Sequence, residues 1–84
     1  MKRYVLNPDT VPLDVAQRIL DRGAVYPAEH YPVGFGTHYD GFLQEGQPDV
    51  LNILDSSGSF QAYPAAWFSE VVPKENGFEL KPVA

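Results

Sequence analysis

Two histidines and a carboxylate are the residues of this chain whose types best suit metal binding or acid–base chemistry. His30, His38 and Asp40 follow the spacing H-x₇-H-x-D, and Glu29 precedes the first histidine. Two imidazoles and a carboxylate supply the three protein ligands of a catalytic zinc site that keeps one position open. The spacing matches no established ligand motif, and Asp40-Gly41 also suits a tight turn. We therefore predict no cofactor, metal or catalytic site, and we keep a small metal-dependent enzyme as the last of three functional hypotheses.

The aromatic side chains divide into those in alternating, strand-like segments and those in or beside loops. The strand group is predicted to pack in the core and comprises Tyr4, Phe42, Phe60, Phe68 and Phe78. Tyrosine and tryptophan near loops offer large, rigid contact areas to a protein partner. The predicted binding residues are therefore Tyr26, Tyr31, Tyr39, Tyr63, Pro64 and Trp67.

Hydrophobic periodicity predicts a strand followed by one short helix near the start of the chain. Residues 2–7 alternate, so Tyr4 and Leu6 share one side of the strand. A helix is predicted from Pro12 to Arg22, because proline suits the first helical turn and Gly23 suits the residue after the last turn. The inward stripe of this helix is predicted to be Val15, Ala16, Ile19 and Leu20.

Turn signals recur at short intervals after the helix, as is typical of a small barrel or sandwich. Asp40-Gly41 and Asn76-Gly77 each lie between apolar residues and predict two hairpins, and a short strand is predicted at residues 24–26. From residue 49 to residue 63 the chain indicates a strand, an S-S-G turn and a return strand. These elements predict a mainly β (α+β) fold, a five- or six-stranded barrel with one short N-terminal amphipathic helix.

The run from Gly58 to Val71, G-S-F-Q-A-Y-P-A-A-W-F-S-E-V, resembles the end of a Src-homology-3 (SH3) domain. In that family a glycine-containing hairpin leads to an aromatic residue, a proline, two small residues, a second aromatic residue and the last strand. The run is also similar to short phage and bacterial proteins that share a Y-P step. The resemblance implies an SH3-like barrel with a 3₁₀ turn at residues 64–68, and a peptide groove at Tyr26, Pro64 and Trp67.

The composition limits the compartment and the class of partner. A chain of 84 residues suits one domain, and eleven acidic against six basic residues give a net charge of −5, which opposes direct binding to nucleic-acid phosphates. The chain has no cysteine, which favours a reducing cytoplasm. We also expect neither a signal peptide nor a membrane span, since no apolar run is long enough for either.

The leading functional hypothesis is a non-enzymatic protein-interaction domain of bacterial or phage origin, monomeric or homodimeric, that docks on a protein partner through aromatic loop residues. The second hypothesis is an acidic inhibitor that imitates nucleic-acid phosphates and blocks a nucleic-acid-binding host protein. The acidic residues proposed for that role are Asp49, Asp55, Glu70, Glu75 and Glu79.

Overall fold

The structure is a computed structural model that describes residues 1–20 and 33–83. These ranges contain six β-strands, one α-helix and one short 3₁₀ helix. In chain order the elements are β1 (Lys2–Leu6), α1 (Leu13–Leu20), β2 (Tyr39–Gln44), β3 (Gln47–Leu54), β4 (Phe60–Pro64), the 3₁₀ helix (Ala65–Trp67), β5 (Phe68–Lys74) and β6 (Gly77–Pro82). The strand predicted at residues 24–26 lies outside the described residues.

The six strands form one antiparallel sheet in the order β4-β3-β2-β1-β5-β6. Within residues 1–20 and 33–83, the prediction of a mainly β fold with a single short α-helix is therefore confirmed. The predicted closure into a barrel is not observed, because β4 and β6 form the two edges of the sheet and no pairing joins these described strands.

Asn7 ends β1 and organises the turn that leads to α1. Its carbonyl oxygen accepts hydrogen bonds from the amides of Thr10 and Val11, both at 3.1 Å. Its side-chain oxygen accepts a further bond from the Asp9 amide at 2.9 Å, the local bonding that makes asparagine favourable in turns. The Asn7 amide donates to the carbonyl of Trp67 at 2.8 Å, so this turn is tied to the 3₁₀ helix.

Helix α1 packs against the sheet through Val15 and Ile19, which lie four residues apart and are both buried. Leu20, which the sequence analysis placed on the same stripe, is exposed, so that part of the prediction is wrong. Each residue turns the helix by about 100°, which carries Leu20 well away from the direction of Ile19. The helix follows β1 and is not the N-terminal element, and the predicted end at Arg22 lies outside the described residues.

A single cluster of buried side chains fills the space between α1 and one face of the sheet. Edge-to-face packing occurs inside it between Tyr63 and Phe68, whose ring centroids are 5.8 Å apart. Its buried members are Tyr4, Leu6, Val11, Val15, Ile19, Val33, Tyr39, Leu51, Ile53, Tyr63, Ala65 and Phe68.

Asp40-Gly41 lies inside β2, so the hairpin predicted at this pair is wrong. Gly41 pairs with Ile53 of β3 and has no positive φ angle. A Cβ atom at this position would stand 2.5 Å from the carbonyl oxygen of Asn52 and 3.2 Å from Cδ2 of Tyr4. Glycine is required here because neighbouring atoms approach the backbone closely, which is the other common role of a strand glycine.

The two other predicted hairpins are confirmed, but the turn residues of the second are shifted by one position. Strands β3 and β4 form a hairpin whose turn contains Gly58 at a φ of +83°, and the 3₁₀ helix follows β4 directly. Strands β5 and β6 form a second hairpin, in which Lys74 pairs with Gly77. The turn itself is Glu75-Asn76, one residue earlier than the predicted Asn76-Gly77 pair.

Candidate functional site

Two of the tyrosines predicted to bind a partner are buried. Tyr39 exposes 7% of its surface and Tyr63 exposes 6%. The hydroxyl oxygen of Tyr39 accepts a hydrogen bond from the Gly34 amide at 2.7 Å, and that bond is itself buried. These two rings therefore offer little contact area to a partner, and the hydroxyl of Tyr39 serves the fold.

The hydroxyl of Tyr63 belongs to a hydrogen-bonded network at the β3–β4 turn. It donates to Oδ2 of the buried Asp55 at 2.7 Å, while Oδ1 of Asp55 accepts from the Ser57 amide at 3.0 Å and from the Ser57 hydroxyl. Gln61 donates in turn to the Ser57 hydroxyl oxygen at 3.1 Å. A buried carboxylate needs such partners, since an unpaired one is costly. The network holds the turn and presents no free nucleophile.

The other predicted binding residues have mixed positions. Pro64 is exposed at the end of β4, and Trp67 is half-buried against the core, with its ring 6.4 Å from that of Tyr63. Tyr26 and Tyr31 lie outside the described residues. The structure thus brings Pro64 and Trp67 to the junction of β4 with the 3₁₀ helix, and a binding role for them stays a prediction.

The strand aromatics are distributed differently from the prediction. Tyr4 and Phe68 are buried in the core, as expected. Phe42 and Phe60 are each 44% exposed and Phe78 is 55% exposed, so the core prediction is wrong for these three. The largest exposed aromatic surface in the described part of the chain therefore comes from phenylalanines on strands.

Phe42 and Phe60 lie on the face of β2, β3 and β4 that points away from the core. Phe42 alternates with the buried Gly41, and Phe60 has the opposite strand orientation to the buried Tyr63. Their ring centroids are 5.4 Å apart across the sheet. We call this surface the outer aromatic face, and by strand alternation and register its members are Phe42, Val50, Asn52, Leu54, Phe60, Ala62 and Pro64.

The centre of the outer aromatic face is apolar apart from one satisfied amide. Asn52 pairs with Phe42 on one side and with Ala62 on the other. Its Nδ2 donates to Oε1 of Gln44 at 2.8 Å. Because these two amides bond to each other, covering them with an apolar surface leaves fewer unpaired groups than covering two free amides would.

Carboxylates lie on the strands and the turn that carry the outer aromatic face. Asp40, Glu45 and Asp49 are all exposed. Asp40 has a neighbouring cation, since its Oδ1 lies 3.7 Å from Nε of Arg3. The apolar centre is therefore accompanied by negative charge on β2, on β3 and in their connecting turn.

The metal-site hypothesis gains no support from the described residues. Within them, no three histidine, cysteine, aspartate or glutamate side chains are placed to hold a metal ion. His38 packs edge-on against Phe78 with the ring centroids 4.9 Å apart, and Asp40 faces Arg3. His30 and Glu29 lie outside the described residues.

The acidic residues proposed for nucleic-acid mimicry occupy different environments. Asp55 is buried in the turn network and adds little to a surface field. Glu70 lies 3.4 Å from Lys2, and Glu79 lies 2.9 Å from Lys74. Asp49 and Glu75 are exposed on different hairpins. No shared acidic face is formed by all five, and the mimicry hypothesis stays a prediction.

Comparisons with protein-family models, with curated proteins and with solved structures found no match to this chain. None of the helices in the described ranges has the length and hydropathy that a bilayer span requires.

Proposed function

We propose that this chain is a non-enzymatic protein-interaction domain that docks on a partner protein through the outer aromatic face. The observation that carries the proposal is the exposed Phe42–Phe60 pair, whose rings contact each other on a three-stranded surface. Aromatic rings supply large buried areas at interfaces and often carry most of the binding free energy. Exposing two of them side by side has a solvation cost that a partner would remove.

The partner's surface is expected to have an apolar centre and a basic rim. Asp40 lies on the same side of β2 as Phe42, Glu45 lies in the β2–β3 turn, and the chain as a whole carries a net charge of −5. A basic rim would be attracted by this field and would associate faster at low salt. A second copy of the chain would be repelled by the same field, so we propose a different protein as the partner and a monomer as the free state.

The resemblance to Src-homology-3 domains supports the same class of function. The β3–β4 hairpin, the 3₁₀ helix and β5 follow one another in the order that the resemblance implies. Two features depart from it: β6 follows β5, and the sheet is open. We propose an SH3-like arrangement of these elements, with the contact surface on the outer aromatic face and Pro64 at its border. The cytoplasmic location and the bacterial or phage origin stay predictions.

The proposal is tested with Phe42→Ser and Phe60→Ser, and with Leu80→Ser as the matched control. Leu80 is an exposed apolar strand residue on β6, at the other edge of the sheet from Phe60. Each variant and the wild type are used to capture proteins from an extract of the source cells. The protein that the wild type retains is then purified and titrated against all four chains by calorimetry.

The wild type and Leu80→Ser are expected to bind this protein equally, and the two phenylalanine variants about tenfold or more weakly, a loss of about 1.4 kcal/mol or more. Affinity is also expected to fall as salt rises, because the basic rim is screened. Equal binding by all four chains, or no protein that distinguishes the wild type from Phe42→Ser, would overturn the proposal. Circular dichroism of each variant shows that a loss of binding is not a loss of fold.

A further inference from the structure

A groove of about 470 Å³ lies along β1, β5 and β6, on the same side of the sheet as the outer aromatic face, and the described residues that line it are not members of that face. Arg3 pairs with Val71, and Pro73 pairs with Phe78, so these four residues point to the same side of the sheet. Tyr4 points to the other side, into the core that packs on α1. The groove has the volume of a small-molecule pocket, for which about 300–1,000 Å³ is usual. We call it the Arg3 groove.

One part of the Arg3 groove is apolar. Val71 is buried and does not belong to the core cluster under α1, while Pro73 and Phe78 are exposed. The His38 ring meets the Phe78 ring edge-on, with an interplanar angle of 88°. This contact restrains the phenyl ring in the groove, so a ligand that covers it needs less side-chain ordering.

The other part of the Arg3 groove carries charge. Lys2 and Glu70 both line it and lie 3.4 Å apart, so their charges offset each other. Arg3 has a side chain that is 68% exposed, and Asp40, the carboxylate nearest to it among the described residues, lies 3.7 Å from its Nε. That distance is too long for a hydrogen bond. Asp40 is not among the described residues that line the groove. Met1, which carries the α-amino group, lines it as well, so Arg3 and the chain terminus are the cations there that no described lining carboxylate offsets.

We propose that the Arg3 groove binds a small monocarboxylate that carries an aromatic or branched aliphatic group. The carboxylate pairs with the guanidinium of Arg3, whose planar fork matches two carboxylate oxygens. The apolar group covers the exposed side chains of Phe78 and Pro73. Because the chain has a net charge of −5, most of its surface repels such an anion, and binding therefore depends on this arginine.

The probe for this site is 1-naphthylacetate, titrated into the isotope-labelled full chain and followed by amide chemical shifts. We expect saturable shifts centred on Arg3, Val71 and Phe78. The neutral analogue 2-(1-naphthyl)ethanol has the same apolar group and is expected to bind about tenfold or more weakly, since it cannot form the charge-assisted pair. Equal binding of the alcohol, shifts centred on Phe42 and Phe60, or no saturable shift at millimolar probe would overturn the proposal.

Three variants sharpen the assignment. Arg3→Gln and Lys74→Gln each remove one positive charge, but Lys74 pairs with Glu79 and does not line the groove. Arg3→Gln is expected to weaken binding about tenfold or more and Lys74→Gln less than about twofold. Asp40→Asn removes the carboxylate that competes for Arg3, so the probe is expected to bind about two- to fivefold more tightly. Equal weakening by the two glutamine variants, or weaker binding to Asp40→Asn, would contradict the role of Arg3.

A peptide carboxyl terminus carries the same chemistry, and a separate titration distinguishes it. The dipeptide Gly-Phe with a free carboxylate is compared with its amide and with 1-naphthylacetate. We expect the dipeptide to bind more weakly than the probe, because its backbone adds polar groups that the apolar wall leaves unpaired. Tighter binding of the dipeptide than of 1-naphthylacetate would indicate that the ligand is a peptide carboxyl terminus and would overturn the proposal of a small molecule. None of these titrations depends on the partner of the outer aromatic face, so either proposal can fail alone.

Discussion

The buried tyrosines and the exposed phenylalanines of this chain occupy the opposite positions from those that solvation would favour. Tyr39 and Tyr63 carry a hydroxyl group and lie in the core, whereas Phe42 and Phe60 carry none and are half exposed. A phenyl ring loses more by contact with water than a phenol does. The contrast is sharpest on β4, where Phe60 and Tyr63 belong to the same short strand and face opposite sides of the sheet.

The difference between the two groups is explained by what each hydroxyl does. The Tyr39 hydroxyl accepts a hydrogen bond from the Gly34 amide, and the Tyr63 hydroxyl donates one to Asp55. Each ring therefore joins the core to a turn or loop through a buried hydrogen bond. Phe42 and Phe60 make no such link and contribute mainly contact area. The tyrosines are therefore expected to determine stability, and the phenylalanines to determine binding.

The largest expected effect comes from truncating the two aromatic residues of β4. Tyr63→Ala is expected to destabilise the chain by about 3–5 kcal/mol, since it leaves a cavity beside Phe68 and removes the bond to Asp55. Phe60→Ala is expected to cost about 1 kcal/mol or less, because the ring is already half in water. Urea unfolding followed by Trp67 fluorescence measures both losses.

The two alanine variants are compared at low temperature, because a loss of this size approaches the whole stability of a small domain. An unchanged m-value for Phe60→Ala serves as the control that its folded state is intact. Similar losses for Tyr63→Ala and Phe60→Ala would contradict the division between a stabilising and a binding aromatic group.

A smaller effect is expected when only the hydroxyl groups are removed. Tyr63→Phe is expected to cost about 1.5–3 kcal/mol, because the lost bond is made to a buried carboxylate. Tyr39→Phe is expected to cost about 1–2 kcal/mol, because the Gly34 amide loses its buried acceptor. Both free energies are measured by urea unfolding.

Amide hydrogen exchange separates this explanation from a general loss of packing. In Tyr39→Phe the Gly34 amide is expected to exchange faster relative to amides in β3, which keep their strand bonds. In Tyr63→Phe the Ser57 amide is expected to respond in the same way, since it bonds to the same carboxylate. Uniform acceleration of all amides in either variant would argue against a local role for the hydroxyl.

Much of the fold could be predicted from the sequence, because turn residues and alternation mark strand ends locally. The β3–β4 hairpin and the last hairpin follow from such signals, whereas the 3₁₀ helix was expected only from the resemblance to Src-homology-3 domains. Asp40-Gly41 is a case that local signals cannot resolve, because the same dipeptide suits a turn or a crowded strand. Its position in a strand follows only from the close approach of Asn52 and Tyr4 to the Gly41 backbone. Whether the sheet stays open or closes into a barrel likewise depends on contacts between strands that are distant in sequence.

The outer aromatic face could not be predicted because its strands are apolar on both sides. In β3, Val50 and Leu54 alternate with Leu51 and Ile53, so periodicity alone does not identify the buried set. Register decides it: Gly41 pairs with Ile53 in the core, which turns Phe42 outward.

Tyr4 gives the smallest expected effect and tests the tyrosine group through pH. Burial raises its pKa above the ordinary value near 10, the Glu70 carboxylate raises it further, and Lys2 opposes the shift. The unfolded chain therefore loses this proton first as pH rises. The stability that this pKa shift contributes is fully present below pH about 10 and is lost as pH rises through the folded-state pKa.

Urea unfolding measures the free energy of unfolding of the wild type and of Tyr4→Phe between neutral and strongly alkaline pH. The difference between these two free energies cancels the titration of the other tyrosines. The wild type is expected to lose stability relative to Tyr4→Phe only at the alkaline end, and Glu70→Gln is expected to reduce that loss. If the difference stays constant across the pH range, the Tyr4 hydroxyl has the same pKa in the folded and unfolded chains. Burial of Tyr4 would then not depend on the protonation of its hydroxyl, in contrast to the hydrogen-bonded hydroxyls of Tyr39 and Tyr63.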